Sequence, residues 1–469
     1  MAGTSALPIR QSGAPSYKNI RPFNVDNVIG GESRQANKGD ALPLYTIFRE
    51  FAGTVPNSEE SDLMEAFSYA RDYAKKIPYA RRVDDGIEAV RKASKELLSK
   101  REDRERIAAL TGSQTLKSIE GTLDLFKGWA DGIGNLYSQI IDDEGKLLYK
   151  SGINAGILPG NVSISGTWTQ SLSALVGPMV TRPDRRGSFV ASSYAQLLAD
   201  NGYPGVQAVN WSSELHPNLI QTLISEGLRE GKVHFFGSND TINEILPTEL
   251  KDHPNLIAYG SGHGMAIVDE TADLEQAAKF CVQGRIFNTG NMCTCTNNVI
   301  AVGDTTYDKL LNYFEGCKET LMPGDPRKPD SDLGWIGSHD LQTIVKPLLL
   351  EHTVAPDEVI VNYDYMKFTP IETNPHSKFA RKEWPYPILG IMGADNMDKA
   401  IDMVGACLEP GCKSICVGLH MDPDKPDLLT KYITALKPYA HKVATNNSTT
   451  NMDLNCHQGL TIRNMMRPI

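Results

Sequence analysis

One stretch of the chain has the residue types of a nucleophile loop: Phe287-Asn288-Thr289-Gly290-Asn291-Met292-Cys293-Thr294-Cys295. Cys293 follows a small, Gly-containing turn and precedes an apolar run, Val299 to Val302. A cysteine at a loop tip can present an ionisable sulfur, and its own backbone N–H is then free to bind a developing oxyanion. The plain alternative is a buried loop cysteine, and segments elsewhere in the chain decide between the two. Cys295, two residues on, reads as structural; a reversible Cys293–Cys295 link is the alternative, at the cost of a strained ring.

A second stretch, Phe236-Gly237-Ser238-Asn239, ends an apolar strand where a helix should begin. Backbone N–H groups at such a junction can hold a phosphate against the positive end of the helix dipole, though a lone Gly-Ser fits a plain strand-to-helix turn better on spacing alone. Cys407, Cys412, Cys416 and His420 have spacings that invite a zinc site. Pro410 to Gly418 nevertheless reads as a turn and a strand, on which neighbouring residues face opposite ways, so no metal site is expected. His263 reads as a loop histidine, and Cys456-His457 carries no assignment.

Alternating elements must position these residues. The first third is helical: Ser61 to Lys76, a long amphipathic helix from Val83 to Leu110, and a third from Thr115 to Leu136. Residues 1–42 are polar and rich in Gly, Pro and Asn, and read as an irregular arm. Ile140 to Tyr149 has a turn between two apolar arms and reads as a β-hairpin. Strands at 155–159, 179–181, 206–210 and 233–236 then alternate with helices at 190–200 and 218–229. A second series follows, with strands at 265–268, 299–302, 385–392 and 414–418 and helices near 274–284, 307–317 and 397–407. Such alternation predicts a doubly wound parallel sheet.

The bulk numbers bound the partners. A net charge of −10 argues against nucleic acid or an anionic membrane as the main partner. No apolar run approaches the roughly 18–20 residues that span a bilayer. Met1 to Tyr17 lacks the apolar core of a secretory signal. Eight cysteines in 469 residues form no disulfide framework, so a reducing compartment, the cytoplasm, is expected. The length predicts two or three domains.

Read together, the segments resemble the aldehyde dehydrogenase superfamily. Tyr259-Gly260-Ser261-Gly262 leads to Ile267-Val268-Asp269-Glu270-Thr271-Ala272-Asp273-Leu274, and Cys293 follows twenty residues after Asp273. That family has a strand ending in a Gly-Ser cofactor turn, then a glycine-rich segment, an acidic helix start and a catalytic cysteine in an N-x-G-x-x-C loop. The resemblance covers most of residues 60 to about 440 and is collinear. It implies that Cys293 is the nucleophile and that Asn161, in Gly156-Ile157-Leu158-Pro159-Gly160-Asn161, helps bind the oxyanion. It implies cofactor contacts for Gly237 and Ser238, for Arg182 of Arg182-Pro183, and for Glu383, which precedes Pro387-Ile388-Leu389. The fold it implies is α/β: a Rossmann-type cofactor domain (1–135 and 152–258), an α/β catalytic domain (259–440) and a small β oligomerisation element (136–151 and 441–469). A homodimer or homotetramer goes with that fold.

The departures carry information. Hydrolytic members have a glutamate that activates water in an L-E-L-G-G segment, and that position holds Tyr259. Tyrosine, with an ordinary pKa near 10, is a poor base at neutral pH. The CoA-acylating branch also lacks that glutamate, and the Asp269 to Asp273 string resembles that branch. An acyl group on Cys293 is then expected to pass to a thiol such as coenzyme A, or to form from an acyl-CoA in reverse. Arg182, Arg185 and Arg186 suit the 2′-phosphate of NADP, since NAD-specific relatives carry a carboxylate near the position of Arg185. The same arginines suit the phosphates of coenzyme A. Ile242 replaces a family glycine, and residues 446–469 do not resemble the family's usual end. Two other readings stand beside this one: a non-acylating aldehyde dehydrogenase that releases a carboxylate, and a catalytically quiet relative with a binding or structural role.

Overall fold

Short apolar strands separated by helices build two parallel sheets in the computed structural model, which describes residues 20–141, 149–150, 152–247, 250, 253–409, 412–450 and 467–468. The first sheet has the order Leu256–Tyr259, Val233–Phe236, Asn154–Ile157, Met179–Arg182, Val206–Ala208, Asn27–Ile29, Glu32–Arg34. Its first five strands are parallel. The last two join antiparallel. The chain starts at Asn154–Ile157, moves one way to Val206–Ala208, then crosses back to Val233–Phe236 on the other side. Ligands of open α/β sheets bind outside the carboxyl ends of the strands, at such a switch point.

The second sheet has six parallel strands in the order Thr369–Glu372, Ile388–Ala394, Thr296–Val302, Gly264–Val268, Ser414–His420, Ala440–Thr445. Three of its four inner strands, Thr296–Val302, Gly264–Val268 and Ser414–His420, are buried throughout. That follows from helices on both faces. Met397–Cys407 packs with Leu436 on one side, and Leu274–Ile286 with Asp304–Thr320 on the other.

Several sequence expectations change. The arm at 1–42 contains Asn27–Ile29, whose Val28 and Ile29 are buried and extend the first sheet. The long helix expected over 83–110 is two helices, Tyr79–Glu96 and Arg101–Thr111. Leu98 breaks it with a left-handed φ of 53°, which lets Leu97 and Leu98 both reach the core. The third helix runs Leu116–Asp131 from a Thr115 cap and stops at Gly132; a short turn, Gly134–Tyr137, follows. Ser165–Val176 was not expected as a helix because it is buried all round and so lacks an apolar stripe. The helix Pro426–Leu436 and the strand Leu256–Tyr259 are further elements beyond the sequence expectation.

The hairpin expected at 140–149 falls mostly on 142–148, outside the described residues. Tyr149–Lys150 pairs antiparallel with Arg467–Pro468, so the two stretches assigned to an oligomerisation element meet each other. Ala440–Thr445 belongs to the second sheet, which therefore continues past the expected boundary at 440. Among the described residues, no helix is long and apolar enough to cross a membrane.

Candidate active site

A cleft of about 860 Å³ opens between the two sheets, and they meet it by opposite ends. From the first sheet come segments at strand carboxyl ends: Ile157 to Val162, then Arg182, Asp184 and Arg186, then Phe235 to Thr241 and Tyr259 to Ser261. From the second come segments just before strands: His263, Asn291 to Cys293, Arg381 to Pro385, and Cys412 with Lys413. Six of the seven residues expected at the site line this cleft: Cys293, Asn161, Gly237, Ser238, Arg182 and Glu383. Arg185 does not; its guanidinium donates to the Pro43 carbonyl, while its neighbour Arg186 faces the cleft.

The cysteine loop is held in an unusual backbone path. Asn288 and Thr289 have φ values of 48° and 59°. For a β-branched residue such as Thr289 that region is costly. Its hydroxyl compensates by donating to the Ser113 carbonyl at 2.7 Å and accepting from the Gly334 N–H at 2.7 Å. Cys293 itself is half-buried. Burial pushes its thiol well above the usual range, and the charge of Glu383 pushes it further. Cys295 is fully buried, donates its thiol to the Phe287 carbonyl and is pushed to about 11.

The Gly260-Ser261-Gly262 segment passes across this loop. A Cβ on Gly262 would lie 1.6 Å from the Cys293 carbonyl oxygen, so only glycine permits the approach. The Gly262 N–H donates to Glu383 Oε2 at 2.6 Å. Asn239 Oδ1 accepts from the Ser261 N–H at 2.9 Å and ties the same segment to the turn after Val233–Phe236. Asn161 Nδ2 donates to the Asn291 carbonyl at 3.3 Å, a second bridge between the sheets next to the cysteine.

Glu383 is the carboxylate next to Cys293. Burial raises its pKa to about 7, against the opposing pull of the Gly262 N–H, Arg285 and the His263 N–H. His263 donates its Nε2–H to the Ala380 carbonyl at 2.7 Å, and burial holds its pKa down. Tyr259 stacks on Phe236, with centroids 4.1 Å apart and planes within 6°, and its hydroxyl pairs with His234 Nδ1 at 3.2 Å. Ser238 caps the helix Asn239–Ile245 by accepting from the Thr241 N–H at 3.1 Å. Ile242 is packed in the core beneath the first sheet. Arg182 lies over the Trp211 ring.

Sequence reasoning missed a basic set, Arg381, Lys382 and Lys413, on the second-sheet side of the cleft. It also missed Arg285, whose signal was only a basic residue in the last turn of a helix. The Asp269 to Asp273 string lies at the far end of Gly264–Val268, away from the cleft, where Asp273 caps the helix Leu274–Ile286. Among the described residues, no group of three or more His, Cys, Asp or Glu is placed to hold a metal.

Comparisons with known proteins bear on this arrangement. The chain is 28% identical over 178 residues to benzaldehyde dehydrogenase YfmT of Bacillus subtilis, covering 36% of each chain. It is 29% identical over 189 residues to the acetylating acetaldehyde dehydrogenase EutE of Salmonella typhimurium, covering 37% of this chain and 38% of that one. The alignments thus span little more than a third of those relatives. An oxidoreductase of Marinobacter aquaeolei shares the fold end to end, with a TM-score of 0.77 over 95% of this chain and 97% of that one at 17% identity. The sequence model of the aldehyde dehydrogenase family matches residues 46–407, most of both sheets and the whole cysteine loop, and on that match the chain belongs to the aldehyde dehydrogenase family.

Proposed function

We propose that the protein is an NAD(P)-dependent aldehyde oxidoreductase that works through Cys293 and passes its acyl group to a thiol, coenzyme A by preference. The observation that carries this reading is the cleft wall at Tyr259. Its ring is stacked on Phe236 and its hydroxyl engaged with His234, where a hydrolytic enzyme needs a water-activating carboxylate. An acetylating acetaldehyde dehydrogenase is among the similar proteins, as is a benzaldehyde dehydrogenase.

Cys293 as thiolate attacks the aldehyde carbon. Asn161 Nδ2 and the Cys293 N–H bind the resulting oxyanion, each such donor being worth roughly 3 kcal/mol. For Asn161 this requires its amide to leave the Asn291 carbonyl. A nicotinamide cofactor, when bound, supplies the hydride acceptor that converts the thiohemiacetal to a thioester. The cleft at the switch point of the first sheet fits a dinucleotide: Gly237 and Ser238 would hold its phosphates, and Glu383 its ribose. With Arg185 engaged by Pro43, Arg182 and Arg186 are the residues we assign to a 2′-phosphate, which keeps NADP the favoured cofactor over NAD. Arg381, Lys382 and Lys413 give the other side of the cleft a positive rim suited to the phosphates of an acyl-CoA. The thiol of coenzyme A then attacks the thioester and releases Cys293; in reverse, an acyl-CoA is reduced to an aldehyde.

We assign the cofactor domain to the first sheet, the catalytic domain with Cys293 to the second, and an oligomerisation element to 136–151 with the tail beyond Thr445. A homodimer or homotetramer in the cytoplasm remains the expected setting. A second reading rests on Glu383. A carboxyl near 7 beside Cys293 has the proton affinity of a general base, which would suit release of a carboxylate by water. Steady-state aldehyde oxidation with and without coenzyme A separates the two. Turnover that needs the thiol supports the acylating reading, undiminished turnover without it supports the second, and none with any aldehyde or acyl-CoA points to a quiet relative.

A further inference from the structure

Arg285 is completely buried, in the last turn of Leu274–Ile286. Its Nη1 donates to the Thr296 carbonyl at 3.3 Å and to Asn297 Oδ1 at 2.5 Å. Its Nη2 donates to the Gly290 carbonyl at 2.8 Å and the Trp384 carbonyl at 2.6 Å. Gly290 and Thr296 flank Cys293 by three residues on either side, and Trp384 directly follows Glu383. One guanidinium therefore clamps both ends of the nucleophile loop and the segment that carries the neighbouring carboxylate. Asn297 Oδ1 closes the cluster by also accepting from the Trp384 N–H at 3.3 Å. The turn depends on the same contact: a Cβ on Gly290, at φ 85°, would lie 2.4 Å from Arg285 Nη2.

Packing alone does not call for this residue. The four acceptors of Arg285 are three carbonyls and an amide oxygen, none of them a carboxylate, and its Nε has no hydrogen-bond partner. A buried cation of that kind is costly, and an apolar side chain of similar volume is usually as stable or more so. The helix carboxyl end and the four acceptors offset part of the cost.

We infer that Arg285 is a positioning residue: its guanidinium sets the Cys293 loop against the Glu383 segment and supplies the buried positive charge that Glu383 faces. The charged and titratable groups around Glu383 are Arg285, Cys293, Cys295 and His263, with Arg381 and Lys382 preceding it and Glu409 acting on His263. Removing the cation makes the charged carboxylate less favourable, so Glu383 must titrate at higher pH.

The inference rests on Cys293 as the nucleophile, so Cys293→Ser is the control: turnover in that variant sinks the nucleophile reading whatever Arg285 does. The rate of iodoacetamide alkylation at Cys293 is followed against pH in the full-length protein, and Glu383→Gln identifies the break in the profile that belongs to Glu383. Arg285→Met is expected to lower kcat about 100-fold, the size of effect a misplaced reacting group produces, with a much smaller change in KM for the cofactor. The same variant moves the Glu383 break to higher pH, whereas Arg285→Lys leaves it in place. An unmoved break in Arg285→Met, with only a lowered melting temperature, reduces Arg285 to a structural role and overturns the inference. If Arg285→Met does not fold, Asn297→Ala decides, because it keeps the cation and removes one acceptor. Lowered kcat in it supports the clamp, and unchanged kcat overturns it.

Discussion

The two sheets meet one cleft in opposite senses, and they build their halves of it differently. The first offers carboxyl ends that lead into helices, so its loops present backbone N–H groups with ordinary dihedrals; none of the left-handed residues falls at 157–162 or 235–241. The second offers amino ends, and its loops hold His263, Asn288 and Thr289 at φ between 47° and 59°. Asn288 also buries both side-chain polar atoms without partners. A binding surface can come from regular strand–helix turns, whereas a nucleophile must be aimed, and aiming it concentrates strain and buried charge on one side.

The largest expected effect is on the second-sheet side. Cys293→Ala should lower cofactor reduction by roughly 10⁴-fold or more while leaving cofactor binding near normal. Equal loss of cofactor binding would erase the division of labour. A paired glycine test sharpens it. In Gly262→Ala the new Cβ meets the Cys293 carbonyl at 1.6 Å, so the loop must move, and kcat should fall about 100-fold. In Gly237→Ala the nearest atom is the Phe235 ring at 3.2 Å, and stability should change by less than about 1 kcal/mol. Thermal melts and kcat on both variants show whether the sides differ.

Smaller effects test the electrostatics. Glu383 should be neutral below about pH 7 and charged above it, and its charge disfavours the Cys293 thiolate. Glu383→Gln should therefore speed alkylation of Cys293 at pH 8, by about tenfold for one pKa unit. A slower reaction would instead mark Glu383 as the proton acceptor. Far from the cleft, burial lowers His420 to about 4, so protonation below its unfolded value near 6.5 favours the unfolded state. Stability should fall as pH drops from 6.5 to 4, by up to about 3 kcal/mol. His420→Phe should flatten that slope in urea titrations at pH 7 and pH 5.

The same contrast explains what the sequence could disclose. The Gly237-Ser238 turn and the Cys293 loop were legible because each joins a recognisable strand to a recognisable neighbour. Ser165–Val176 was not, since a helix buried all round has no stripe to read. Arg285 was invisible for a related reason: its acceptors are carbonyls at 290, 296 and 384 and an amide at 297, a set assembled only by the parallel strands. Arg185 reads as a phosphate ligand in sequence, yet the N-terminal strand Leu42–Tyr45, which no pattern announced, takes its guanidinium.

On the proposed function, Cys293 carries an acyl group that a thiol, not water, removes. Intact-protein mass spectrometry of enzyme quenched after mixing with aldehyde and oxidised cofactor tests it directly. Without thiol, an acyl adduct on Cys293 should accumulate close to one per active site and persist; with coenzyme A it should vanish as acyl-CoA appears. Steady formation of carboxylate without thiol, and no accumulated adduct, would contradict the account.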